Sequence, residues 1–271
     1  DSTRASLRTI QTFAYYDHVF AEKPRFESAE TITATPKPQV IAQVRNYAEL
    51  QNEALVLMDN GVLQLARLQT SRSGTETNYP TIQFPPNLVP TALAVTTENQ
   101  FALVTLWDTV AHTGKVAVVA LEGAYLKYHT LTYMGLDNQG SWSDFKLLGY
   151  VDLPFAYPTS IAAASNGRWK GPSSTDGLTL GGMNLSSSTE RAKMYSGNWS
   201  FMIATKGYAM VSSQTENKVA FLDLSALMQY MRESYLAPNV DFAAVVASRG
   251  PGDNAFPKTF AANPSIEPTL I

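Results

Sequence analysis

The hydrophobic pattern of this chain comes in short bursts separated by polar turns. The clearest burst is "FALVTLWDTVAHTGKVAVVAL", residues 101–121. Phe101–Thr105 is short and β-rich, Thr109–Gly114 holds a turn, and Lys115–Leu121 is a second apolar run. Two β-branched or aromatic runs around a Gly-containing loop predict a hairpin. "YAMVSSQTENKVAFLDL", residues 208–224, repeats the plan with Tyr208–Ser212, a Gln214–Asn217 turn and Lys218–Leu224. A fainter copy sets Ala54–Met58 and Val62–Leu68 around Asp59-Asn60-Gly61, and Asn-Gly is the strongest short hairpin signal.

Each hairpin has a prelude. "KPQVIAQV", "VPTALAVT" and "YPTSIAAA" begin at Lys37, Val89 and Tyr157, and "FPKTFAAN" begins at Phe256. Their prolines, Pro38, Pro90, Pro158 and Pro257, predict strand entries, because a proline at the first residue of a strand loses no ladder bond. Prelude, hairpin and a further run such as Phe145–Leu153 make about four antiparallel strands per unit. Four-stranded units repeated every 40 to 50 residues or so are the mark of a β-propeller blade. The prolines stand 52, 68 and 99 residues apart, so the later units carry insertions. The expected fold is therefore an all-β propeller with four-stranded antiparallel blades, in units of about 38–88, 90–156 and 158–255, with another beginning at 257. A plain β-sandwich with fortuitous self-similarity is the competing reading.

Tyr208-Ala209-Met210-Val211-Ser212 and Val219-Ala220-Phe221-Leu222-Asp223 resemble the YVTN-type repeats of bacterial and archaeal surface and periplasmic proteins. In that pattern a Pro-led strand precedes a Tyr-Val-Thr-Asn-like strand, a polar turn and a Val-x-Val-Ile-Asp strand. Phe101–Thr105 and Val116–Ala120 fit without the final Asp, and Ala54–Met58 fits least. The resemblance covers patches of residues 37–260. It implies a propeller and a periplasmic, cell-surface or secreted location, and it is nearly silent on function because the fold hosts many activities.

Three units and the start of a fourth fall short of the four to eight blades that close a propeller. An open arc exposes sheet edges and apolar faces, so either the remaining blades belong to a longer chain or a protein partner covers the open side. Alternation along the strands puts Val116, Val118, Val219 and Phe221 on one kind of face, and Ala117, Val119, Ala120 and Ala220 on the other.

Unit three is interrupted by a Gly/Ser/Thr-rich insert from Ser165 to Thr205. Long loops inside compact domains are uncommon and often functional. Trp169, Tyr195 and Trp199 are its candidate partner-binding anchors, docking on a partner or on the flank of their own unit. After the hairpin, "SALMQYMRESYL" predicts one short helix capped by Ser225, with Leu227, Met228, Met231 and Tyr235 on its core face.

Chemistry adds little. The net charge is -3 and no basic stripe occurs, which argues against a nucleic-acid partner. The absence of cysteine excludes disulfides, thiolate metal sites and a Cys nucleophile. The chain begins at Asp1 without a basic-then-apolar leader, and its longest apolar runs are strand-sized, well under the ~20 residues of a transmembrane helix. It reads as a soluble body cut from something longer. His18, His112 and His129 lack metal-ligand spacing. Asp137, Asn138 and Asp144 form a loose calcium-like loop that lacks the closing Glu of an EF-hand. No Gly-x-Ser-x-Gly elbow or phosphate loop is present. Asp108 and Asp223 sit at strand ends, where carboxylates cap turns, and Asn184 and Asn198 head glycosylation sequons. The expected function is non-catalytic: a binding or scaffolding propeller that presents loops to a protein partner or larger assembly, with no cofactor unless calcium. The alternative is a propeller enzyme of quinoprotein or lactonase type that uses the central channel. Against it, the chain lacks the repeated Trp-bearing docking motif of quinoproteins and an evident ring of acidic residues at equivalent positions.

Overall fold

The alternating runs become strands, and the strands sort into sheets in chain order. A computed structural model describes residues 7–11, 25–30, 38–44, 53–67, 81–97, 100–121, 145–167, 187–247 and 257–271. Strands β1 (Leu7–Gln11) and β2 (Arg25–Glu30) pair as an antiparallel ribbon. The first four-stranded sheet holds β3 (Pro38–Val44), β4 (Glu53–Met58), β5 (Val62–Arg67) and β6 (Thr81–Gln83). The second holds β7 (Leu88–Val95), β8 (Phe101–Asp108), β9 (Thr113–Ala120) and β10 (Lys146–Asp152). The third holds β11 (Ser160–Ser165), β12 (Gly207–Ser213), β13 (Lys218–Asp223) and β14 (Thr269–Leu270). All pairings are antiparallel, each sheet runs in simple chain order, and none of the described sheets closes on itself.

The three larger sheets share one register. Val40 lies opposite Leu57, Ala92 opposite Thr105, and Ser160 opposite Ser212. Pro38, Pro90 and Pro158 each precede these residues by two positions. At Pro38 and Pro90 the ladder shifts register, so the missing proline N–H falls at an irregularity rather than inside regular pairing. Thr91 and Thr159 follow their prolines, and each hydroxyl donates to the facing strand, to the carbonyls of Thr105 and Ser212, both at 3.2 Å. The opening strands also neighbour one another across sheet boundaries, β3 beside β7 and β7 beside β11.

Pro257 does not open a strand. Between Pro257 and Asn263 the chain turns without sheet pairing, and Thr269–Leu270 completes the third sheet instead. Packing decides this. Phe260 is buried, and its N–H donates to the Leu148 carbonyl at 2.8 Å. Its ring sits where a Cβ on Gly149 would approach to 2.5 Å, so the segment is drawn onto β10 at a residue with φ of +154°.

The single expected helix is one of three among the described residues: α1 (Ser188–Tyr195), α2 (Ser225–Leu236) and α3 (Phe242–Ala247). α1 lies inside the insert, where Ser187 caps it by accepting the Glu190 N–H. α2 keeps its expected core face, with Leu227, Met228, Met231 and Tyr235 buried. Its cap differs from expectation. Ser225 is the first helical residue, Leu224 holds the cap position, and the strand-ending Asp223 accepts the Ser225 N–H at 2.8 Å. At the other strand end, Asp108 accepts the N–H groups of Val110 and Ala111, both at 3.0 Å.

Two buried clusters organise the body. One joins the first and second sheets through Leu55, Leu57, Leu63 and Phe84 with Ala102, Val104, Ala117 and Val119. The other joins the second and third sheets and the helices through Phe101, Leu103, Val116 and Val118 with Ala209, Val211, Ala220 and Leu222. The second sheet is thus apolar on both faces, which explains the unbroken hydrophobic run of β9. Ala120 shares the cluster of Val116 and Val118, not that of Ala117 and Val119. Its even number gives it their parity, so the grouping expected for it fails by one residue.

Candidate interaction surface

The shared register lets each position of the second sheet be matched to one of the third. Thr105 faces Val116 as Ser212 faces Val219, and Leu103 faces Val118 as Met210 faces Phe221. Phe101, Leu103, Val116 and Val118 therefore correspond to Tyr208, Met210, Val219 and Phe221, which we term the forward face of each sheet. Ala102, Val104, Ala117 and Val119 correspond to Ala209, Val211, Ala220 and Leu222, the back face.

The back faces of both sheets are buried. The forward faces differ. Phe101, Leu103, Val116 and Val118 are each 0% exposed. Their counterparts Tyr208, Met210, Val219 and Phe221 are 47%, 46%, 54% and 46% exposed. Ala162 and Ala164 of β11 lie opposite Met210 and Tyr208, and both are exposed on the same face. Val219 and Phe221, the counterparts of the buried Val116 and Val118, form part of this open apolar patch. A lone exposed apolar residue is ordinary, but a contiguous cross-strand group is the kind of surface that marks an interaction site.

Of the three candidate anchors in the insert, Trp169 lies outside the described residues. Trp199 is 3% exposed and belongs to the cluster that joins the second and third sheets. The Lys193 ammonium sits 4.9 Å from its ring centroid. Tyr195 is half-buried against the same cluster, and its hydroxyl donates to Glu233 Oε1 at 2.7 Å. That hydrogen bond, with desolvation, raises the phenol above its ordinary pKa. The Arg232 guanidinium lies 4.5 Å from the Tyr195 ring. The described part of the insert is therefore held down by α1 and by contacts to α2. Its exposed aromatic is Phe201, at 39%.

Two carboxylates tie the entry of a sheet to its hairpin turn. Asp108 accepts Asn87 Nδ2 at 3.0 Å, just ahead of β7, and its backbone and side-chain donors hold it below the ordinary carboxylate range. Glu216 in the β12–β13 turn accepts the N–H groups of Ala156 and Tyr157, just ahead of β11. These donors and Lys218 lower its pKa. Glu216 was not singled out from the sequence. The Ser213-x-x-Glu216 spacing is the signal that marks it, and the Glu216 N–H does donate to Ser213 Oγ at 3.3 Å.

Among the described residues no group of three or more His, Asp or Glu side chains is placed to hold a metal ion. His112 is exposed in the β8–β9 turn with φ of 56°, and His18 and His129 lie outside the described residues. So does the calcium-like loop of Asp137, Asn138 and Asp144. Asn198 is exposed on the described part of the insert, beside the buried Trp199. Among the described residues no helix is long and apolar enough to cross a membrane. No family model matches the chain, and no curated protein matches it.

Proposed function

We propose that the three four-stranded sheets are successive blades of an incomplete β-propeller built from YVTN-type repeats, and that the chain is a non-catalytic binding or scaffolding module. The observation that carries this reading is the forward face of the third sheet. Tyr208, Met210, Val219 and Phe221 are exposed where their repeat counterparts are fully buried. The shared register and the side-by-side opening strands support the blade interpretation, since blades radiate from adjacent first strands. The partner is a protein, engaged through apolar area and through loops that include the insert. The reading needs neither cofactor nor metal. A periplasmic, cell-surface or secreted location accompanies it on the strength of the repeat resemblance alone.

The test is made on intact protein purified from its native source. Metal content, cofactor absorbance and native mass are measured together. A stable assembly with another polypeptide, with sub-stoichiometric metal and no chromophore, is the expected result. One metal or quinone per molecule together with turnover of a lactone or alcohol would replace the binding reading with an enzyme.

A further inference from the structure

We propose that Asn198 is a site of asparagine-linked glycosylation, carrying an oligosaccharide on its side-chain nitrogen. The inference rests on the periplasmic, cell-surface or secreted location proposed above, and it is independent of what the third sheet binds.

Asn198-Trp199-Ser200 has the acceptor pattern Asn-x-Ser with x other than proline. The pattern recurs by chance in unrelated chains, and what distinguishes this copy is how the insert holds it. α1 ends at Tyr195, and a tight turn follows. The Ser196 and Gly197 N–H groups both donate to the Ala192 carbonyl at 3.0 Å, and the Trp199 N–H donates to the Lys193 carbonyl at 3.0 Å. Gly197 permits this turn, since a Cβ there would stand 2.8 Å from Lys193 Cα. Trp199 is then buried in the cluster that joins the second and third sheets, while Asn198, one residue earlier, is exposed. The Asn198 side chain hydrogen-bonds no other described residue. Other asparagine amides are used structurally: Asn87 Nδ2 donates to Asp108, and Asn166 Nδ2 donates to Thr205 Oγ1 at 3.1 Å. An exposed amide nitrogen on an anchored turn presents a sugar to solvent without displacing any contact.

The donor is an oligosaccharide joined to a polyprenyl lipid through pyrophosphate. Asn198 Nδ2 attacks the anomeric carbon of its first sugar and loses one proton. The C–O bond to the pyrophosphate breaks, the lipid pyrophosphate leaves, and a C–N bond takes its place. Trp199 and Ser200 belong to the recognised tripeptide, yet in the folded chain Trp199 is buried and Ser200 opens a short 3₁₀ turn, Ser200–Met202. Transfer therefore precedes docking of the insert, and the glycan stays outside once Trp199 has packed.

The experiment isolates the full-length protein from its native cells, records whether it is recovered outside the cytoplasm, and digests it with trypsin. Lys193 and Lys206 bound a peptide of residues 194–206 that holds this sequon alone, while Asn184 falls in residues 171–191, so the two are read separately. The expected result is an oligosaccharide mass on residues 194–206, placed on Asn198 by fragmentation. Asn198→Gln and Ser200→Ala should each abolish it, and Ser200→Thr should retain it. Ser200→Ala leaves the asparagine in place, so a modification that survives it is not sequon-directed and would overturn the inference. A glycan on residues 171–191 alone would overturn it as well. An unmodified 194–206 peptide from protein recovered outside the cytoplasm removes the site while the location stands. The same peptide from protein confined to the cytoplasm removes both.

Discussion

Glu216 and Ala156 stand sixty residues apart in the chain, yet the Ala156 N–H donates to Glu216 Oε1 at 2.7 Å. The same oxygen accepts the Tyr157 N–H at 3.1 Å. One carboxylate in a hairpin turn thus pins the segment that delivers Pro158 to the start of β11. Because these donors favour the ionised form, the folded-state pKa lies below the ordinary glutamate value. Stability from this contact is fully present above the unfolded-state pKa and is lost as pH falls through the folded-state pKa. Glu216→Gln should lower the melting temperature at neutral pH and flatten the fall of melting temperature on the acid side. Thermal unfolding across a pH series checks this. A variant whose acid-side slope equals that of the wild type would show that Glu216 contributes no such linkage.

Gly114 is required by close approach of backbone. Its N–H donates to the Phe155 carbonyl at 2.9 Å, and its own carbonyl accepts the Leu153 N–H at 2.8 Å. A Cβ there would stand 2.5 Å from the Phe155 oxygen and 3.0 Å from Pro158 Cδ. Backbone cannot rotate aside as a side chain can. Gly114→Ala should cost about 1–3 kcal/mol through displacement of the link between the second and third sheets. Urea unfolding is the measurement, and an unchanged midpoint would contradict the geometry.

Repeat equivalence gives a paired test. Phe101 and Tyr208 hold matching positions, one buried and one half-exposed. Phe101→Ala should cost about 3–5 kcal/mol, the usual cost of a large core truncation. Tyr208→Ala should cost the isolated chain under about 1 kcal/mol, as surface changes do. Comparable losses would mean that the forward face of the third sheet is already covered within the free molecule.

Trp199→Ala should destabilise the chain by about 3–5 kcal/mol and raise the rate of proteolytic cleavage between Ser165 and Thr205. Trp199 shares its cluster with both sheets, so the loss should extend beyond the insert. Urea unfolding and limited proteolysis are run side by side. Equal cleavage rates in variant and wild type would show that Trp199 is not the anchor.

The strands themselves were legible from residue type and alternation. β8, β9, β12 and β13 follow from period-two apolar runs bounded by polar turns, and that signal is local. Strand beginnings near Pro38, Pro90 and Pro158 were legible for the same reason, although only Pro38 is a first residue: Pro90 is the third residue of β7, and Pro158 precedes β11 by two. α2 was legible from its apolar spacing. α1 was obscured because its Ser/Thr-rich surroundings resemble a loop, and only Met194 and Arg191 among its eight residues are buried.

What no local pattern contained was which apolar face would find a neighbour. Val116 and Val219 look alike along the chain, as do Val118 and Phe221. Burial is a property of the stack: the second sheet lies between two others, and the third has its forward face open. Likewise "FPKTFAAN" matches the other preludes in sequence, but Phe260 is drawn into the space left by Gly149, and the chain turns instead of pairing. Alternation determined which residues share a face. Only the tertiary arrangement decided which faces meet, because burial energy depends on the opposing surface, which lies far away along the chain.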